Sequence, residues 1–187
     1  MHGVCDSSQT WVVHGREKSA AYLAHRCGFD VFLGNFRGVY PRKLAPWKAK
    51  SGVSYWNYNI DHLAKFDISA FIKTIYEVKL DEFKAFIKGS GADYTSDAEI
   101  EAELRQKIKI TYVGHSMGGM TLPIYVIHSN RTKKPHGLSQ AILLSPAGIH
   151  TKERVTSYMH YIGLFFYSLL PLVCDHVALP DFAIRLS

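Results

Sequence analysis

Ile108-Lys109-Ile110-Thr111-Tyr112-Val113-Gly114-His115-Ser116-Met117-Gly118-Gly119 is the stretch that decides the fold. Its first six residues are rich in β-branched and aromatic side chains, the composition of a strand. Gly-x-Ser-x-Gly follows at once, and residues 120–128 then read as a helix. Strand, glycine-flanked serine and helix in that order make the pattern of a sharp turn that lifts a serine hydroxyl above the sheet edge. Gly114 and Gly118 let backbone pass close to backbone, and the turn holds Ser116 in a strained conformation. A serine hydroxyl is a weak nucleophile at neutral pH, so the geometry is useful only beside a base.

Outward from that turn, strands alternate with helices. Residues 16–27 carry Ala20, Leu23, Ala24 and Cys27 at the spacing of a one-faced helix, and Gly28 ends it. On that face Cys27 reads as a small core residue. Residues 30–35 read as a short buried strand and residues 36–52, with proline, glycine and lysine, as a loop. Residues 61–76 predict a helix with Leu63, Phe66 and Ala70 on one face. Residues 84–107 differ in texture and read as a surface excursion, broken at Gly89-Ser90-Gly91. A capping box at Ser96-Asp97-Ala98-Glu99 starts a charged helix there. Residues 140–144 supply the next strand, ended by Ser145-Pro146-Ala147-Gly148. The alternation predicts an α/β fold with a mostly parallel sheet covered by helices on both faces.

The bulk properties bound the answer without naming a chemistry. A chain of 187 residues suits one domain, and 47% hydrophobic with 20% charged residues is ordinary for a globular protein. The net charge of +6 is spread along the chain, with only Arg131, Lys133 and Lys134 clustered, so neither nucleic acid nor an anionic lipid surface is singled out. Cys5, Cys27 and Cys174 form no metal or disulfide pattern, and the ten histidines show no metal-ligand spacing. The longest apolar run, 161–173, is 13 residues with Pro171 inside, short of the ~20 a membrane span needs. Met1-His2-Gly3 shows no basic-then-apolar leader and reads as the middle of a fold. One glycosylation triplet, Asn130-Arg131-Thr132, is compatible with a secretory route.

Acyl transfer through a serine needs a nucleophile, a base, an orienting acid and an oxyanion hole. Ser116 is the candidate nucleophile. The oxyanion donors of such a turn are the N–H of the next residue, Met117, and one from an earlier loop, for which His2-Gly3-Val4 offers the Val4 N–H. The order serine, acid, histidine is met after Ser116 only by sequence neighbours such as Asp175-His176 or by Glu153 with a later histidine. Neither pair suits convergence on Ser116, and no acid or base is assigned.

Several segments resemble the acid lipase family of the α/β-hydrolase superfamily, which includes gastric and lysosomal acid lipases and steryl ester hydrolases. Met1-His2-Gly3 with Ser7-Ser8 and Trp11-Val12 is similar to that family's oxyanion loop. Gly28-Phe29-Asp30-Val31-Phe32-Leu33-Gly34-Asn35-Phe36-Arg37-Gly38 resembles its strongest signature. Tyr55-Trp56-Asn57-Tyr58 and Ala64-Lys65-Phe66-Asp67-Ile68-Ser69-Ala70 look like its aromatic motif and the following helix. Its elbow more often carries Gln where this chain has Met117. The resemblance implies an incomplete α/β-hydrolase core over 1–150, with an insertion at about 84–107, and the start of a helical cap over 151–187. It implies a serine lipase or carboxylic ester hydrolase acting on acylglycerols or steryl esters, with no metal or organic cofactor and a lysosomal or secreted site. The rival readings are a catalytically silent hydrolase fold that binds a protein partner over open sheet edges, and an acyltransferase or thioesterase using the same serine. Arg37 and Asp67 read as structural.

Overall fold

The computed structural model describes residues 1–4, 6–40, 42, 55–90 and 96–148. The expected cap over 151–187, Cys5, Cys174, Gly91 and most of the 36–52 loop lie outside the described residues. A 3-10 turn, Ser8–Trp11, precedes helices α1 (Gly15–Lys18) and α2 (Ala20–Arg26). Helix α3 (Ile60–His62) passes through a π-helical stretch, Leu63–Ile68, into the long α4 (Ser69–Ser90). Then come α5 (Asp97–Lys107), β1 (Thr111–His115), α6 (Met117–Arg131) and β2 (Gln140–Leu144).

Strands β1 and β2 pair in parallel, with Thr111 opposite Gln140 and His115 opposite Leu144. The helix α6 between them makes a strand–helix–strand unit, as the alternating sequence predicts. The other edge of β1 is also paired. Met1 N donates to the Val113 carbonyl, and His115 N donates to Met1 O at 3.0 Å, one parallel bridge opposite Gly114. Side chains alternate across the sheet. Tyr112 and Leu143 point into a core built with Phe36, Leu63, Ile68, Ile72, Leu122 and Tyr125. On the opposite face Ile142 and Leu144 stay 50% and 44% exposed, so among the described residues the sheet is covered on one face, not two.

Three local expectations are corrected. The segment at 30–35 is not a buried strand: no described strand pairs with it, and Val31, Phe32 and Leu33 are exposed. The helix expected at 16–27 is split at Ser19, whose extended backbone resets the helical phase. The buried residues are then Ser19 and Ala21, while Leu23 and Cys27 are exposed. In the third helix the π-helical stretch widens the turn, so the buried face becomes Leu63, Ala64, Asp67 and Ile68. Phe66 is 56% exposed, Ala70 is exposed, and the helix continues past 76 to Ser90.

The excursion packs back onto the helix it leaves. Ser96 Oγ accepts from Glu99 N at 3.3 Å, the forward half of the expected capping box. Lys84 Nζ pairs with Asp97 at 2.9 Å, and Arg105 lies over the Tyr76 ring.

Candidate active site

Ser116 sits between the end of β1 and the first turn of α6 with φ 50 and ψ −114, a left-handed conformation that an L-residue adopts only under constraint. The constraints are on three sides. Ser116 N donates to Leu144 O and Ala147 N donates to Ser116 O, both at 3.0 Å, so the end of β2 braces the turn. Gly118 N donates to His2 O at 3.1 Å, which draws the chain start against α6. Behind the turn, the Gly118 carbonyl accepts from Tyr112 Oη at 2.7 Å and Thr121 Oγ1 at 2.9 Å. Burial holds the Tyr112 phenol far above its usual pKa, so it stays a neutral donor.

The glycines of the motif are spatial requirements. A Cβ on Gly114 would lie 2.7 Å from Gly118 O, and one on Gly118 would lie 2.6 Å from Met1 O. One on Gly119 would meet Pro146 at 2.9 Å. A Cβ on Gly3 would stand 3.4 Å from both Ser116 Cβ and His115 Nδ1, so the His2-Gly3 segment lies directly beside the serine. Val4 follows at the surface, 67% exposed. Neither Val4 N nor Met117 N donates to another described backbone group.

His2 anchors this segment. It is 1% exposed; its Nδ1–H donates to Gly3 O at 2.7 Å and its Nε2 accepts from Phe36 N at 3.1 Å. Burial lowers its pKa, opposed by the Gly3 carbonyl and Asp6. A depressed histidine pKa means that the unfolded chain takes the proton first as pH falls. The part of the stability that depends on a neutral His2 is therefore complete above about pH 6.5 and declines below it, by at most ~1.4 kcal/mol per pH unit for one proton. Thermal unfolding between pH 7.5 and 5 should show this decline in the wild type and a flatter profile in His2→Gln, which keeps the acceptor for Phe36 N.

Arg37 and Asp67 clamp the loop beyond Phe36 to the π-helical stretch. Arg37 N donates to Asp67 Oδ2 at 3.0 Å and Arg37 Nε to Oδ1 at 2.8 Å, with Nη2 bonded to the same oxygen. Tyr55 Oη accepts from Gly38 N at 2.8 Å, and Arg37 lies over the Tyr58 ring. The Asp67 side chain is 9% exposed and Arg37 29%, so removing the carboxylate strands a half-buried cation. Asp67→Ala should lose about 3 kcal/mol in urea unfolding, the low end for breaking a buried pair. Asp67→Asn keeps a neutral acceptor and should lose about half of that.

Among the described residues no histidine or carboxylate is bonded to the Ser116 hydroxyl, and no group of three His, Cys, Asp or Glu could hold a metal ion. The structure thus brings together Ser116, Gly114, Gly118, Met117 and the His2-Gly3-Val4 segment. Sequence reasoning missed the Tyr112 and Thr121 hydroxyls and the Ser145-Pro146-Ala147 brace. Their only signal was a hydroxyl on either side of the serine turn and a proline after β2.

Among known proteins, the lipase lipl-5 of Caenorhabditis elegans is 28% identical over 88% of this chain and 35% of its own length. Lipase member K of Homo sapiens is 33% identical over 59% of this chain and 28% of its own. Gastric triacylglycerol lipase of Rattus norvegicus is 23% identical over 97% of this chain and 40% of its own. By sequence this chain is a lipase relative. The resemblance to the acid lipases carried by its motifs stands, and the chain spans about a third of the length of the first relatives it matches. No family model matches the chain. No solved structure matches it. As a lipase relative it has a helical and parallel-strand architecture compatible with part of an α/β fold. Among the described residues no helix is long and apolar enough to cross a membrane.

Proposed function

We propose that this chain is the nucleophile-bearing part of a serine lipase or carboxylic ester hydrolase acting on acylglycerols or steryl esters. The observation that carries this reading is Ser116 at φ 50 on a strand-to-helix turn with the Gly3 backbone against it. Strain of this kind, about 1–3 kcal/mol, persists only where the surroundings over-determine it. Here three neighbouring segments do so.

In the mechanism Ser116 Oγ attacks the ester carbonyl carbon and its proton passes to a base outside the described residues. The carbonyl oxygen becomes an oxyanion held by Met117 N–H, at the positive end of α6, and by Val4 N–H. The tetrahedral adduct expels the alcohol, and water then releases the acid from the acyl-enzyme. The described residues belong to the α/β-hydrolase core of that enzyme. The lipase relatives and the ordered motifs support this assignment.

Labelling with a fluorophosphonate tests it, because that probe reacts with an activated serine and not with an ordinary one. The protein that carries this chain should label at Ser116, with labelling abolished in Ser116→Ala. Background labelling of the wild type would overturn the hydrolase reading and leave a catalytically silent fold. Hydrolysis rates on long and short acyl chains then separate a lipase from a general esterase.

A further inference from the structure

The triplet Asn130-Arg131-Thr132 lies at the end of α6 away from Ser116, and the proposed chemistry makes no use of it. Helix α6 buries Leu122, Tyr125 and Ser129 on one face. Pro123, Ile127 and Asn130 are exposed, at the i, i+4, i+7 spacing of the opposite face. Asn130 therefore points to solvent from the last helical turn, and its carboxamide has no hydrogen-bond partner among the described residues. Its carbonyl accepts from Lys133 N at 3.1 Å, and Lys133, at φ 53, turns the chain away through exposed residues 131–135. Thr132 is exposed as well, its hydroxyl turned to His128 O at 2.9 Å.

We infer that Asn130 is an N-glycosylation site. The triplet is the acceptor pattern, and a bulky polar sugar requires a surface position in the folded protein. Two features beyond the triplet fit that modification. Ile127, one turn earlier on the same face, is 51% exposed, and the apolar side of an N-acetylglucosamine on Asn130 would cover it. The 15 residues of α6 at 1.5 Å per residue also put the sugar about 20 Å from Ser116, clear of the ester site. In the transfer, Asn130 Nδ2 attacks C1 of the reducing-end sugar of a lipid-diphosphate oligosaccharide. The C1–N bond forms, the C1–O bond to phosphate breaks, the lipid diphosphate departs with the electron pair, and the amide gives up one proton. Ser116 takes no part in this step.

The test is a peptide map of the protein isolated from the cells that make it, before and after enzymatic deglycosylation in heavy-oxygen water. The expected result is conversion of Asn130 to heavy-oxygen-labelled Asp, with a matching loss of glycan mass. Asn130→Gln and Thr132→Ala should abolish the modification and Thr132→Ser should retain it, while Ser116 labelling stays at the wild-type level in all three. An unmodified Asn130 in the wild type, or a shift at that peptide surviving Asn130→Gln, overturns the inference.

Discussion

Ser116→Ala in the protein that carries this chain is expected to lower kcat/KM for a long-chain ester by about 10⁵–10⁶-fold, the order found when a serine hydrolase loses its nucleophile. That corresponds to ~7–8 kcal/mol of transition-state stabilisation. KM should change little, because substrate binding does not depend on the hydroxyl, and the fold should survive, because Ser116 Oγ supports no helix cap. A second substitution separates chemistry from strain. The mirror image of the Ser116 backbone angles falls in ordinary extended space, so glycine adopts them without penalty. Ser116→Gly should be as inactive as Ser116→Ala yet more stable by about 1 kcal/mol, after allowing for the greater freedom of glycine in the unfolded chain. Equal stability of the two variants in thermal unfolding would mean that the turn is not strained.

Gly118→Ala is expected to damage folding and reactivity together. Its Cβ would stand 2.6 Å from Met1 O and 2.8 Å from both His2 O and Met1 C. All three are backbone atoms, and two of them belong to the segment that pairs with β1 through His115 N. That segment has to move off α6, losing the bond from Gly118 N and drawing Gly3 and Val4 away from Ser116. A stability loss of about 3 kcal/mol is expected, at the upper end for overpacking. The fluorophosphonate labelling rate should fall by about 10²–10³-fold, the usual effect of displacing one oxyanion donor. Gly89→Ala is the contrasting case, since nothing lies within 4 Å of its Cβ position near the end of α4. It should raise stability by up to about 1 kcal/mol. If chemical denaturation gave Gly118→Ala and Gly89→Ala the same stability, close packing of the chain start on the elbow would be disproved.

The serine turn was legible because its requirements are local. Glycine is demanded wherever a Cβ would strike backbone, and β-branched residues followed by Gly-x-Ser-x-Gly admit few other geometries. Strand β2 and the Ser96 cap were legible for the same reason. The face of the third helix was not, because a π-helical stretch changes the period on which the reading of Leu63, Phe66 and Ala70 depended. Residues 30–35 have the composition of a strand, yet a strand forms only when another takes its hydrogen bonds. That partner is not a property of the segment.

By itself the sequence determined the elbow, the strand–helix–strand unit around it and the kinship with lipases, since each is written in short runs of residues whose constraints are steric and local. The tertiary structure alone decided that His2-Gly3 lies beside Ser116 and that Asp67 faces Arg37 rather than solvent. Those contacts join residues far apart in the chain, and their placement depends on how helices and strands pack, which no local pattern encodes.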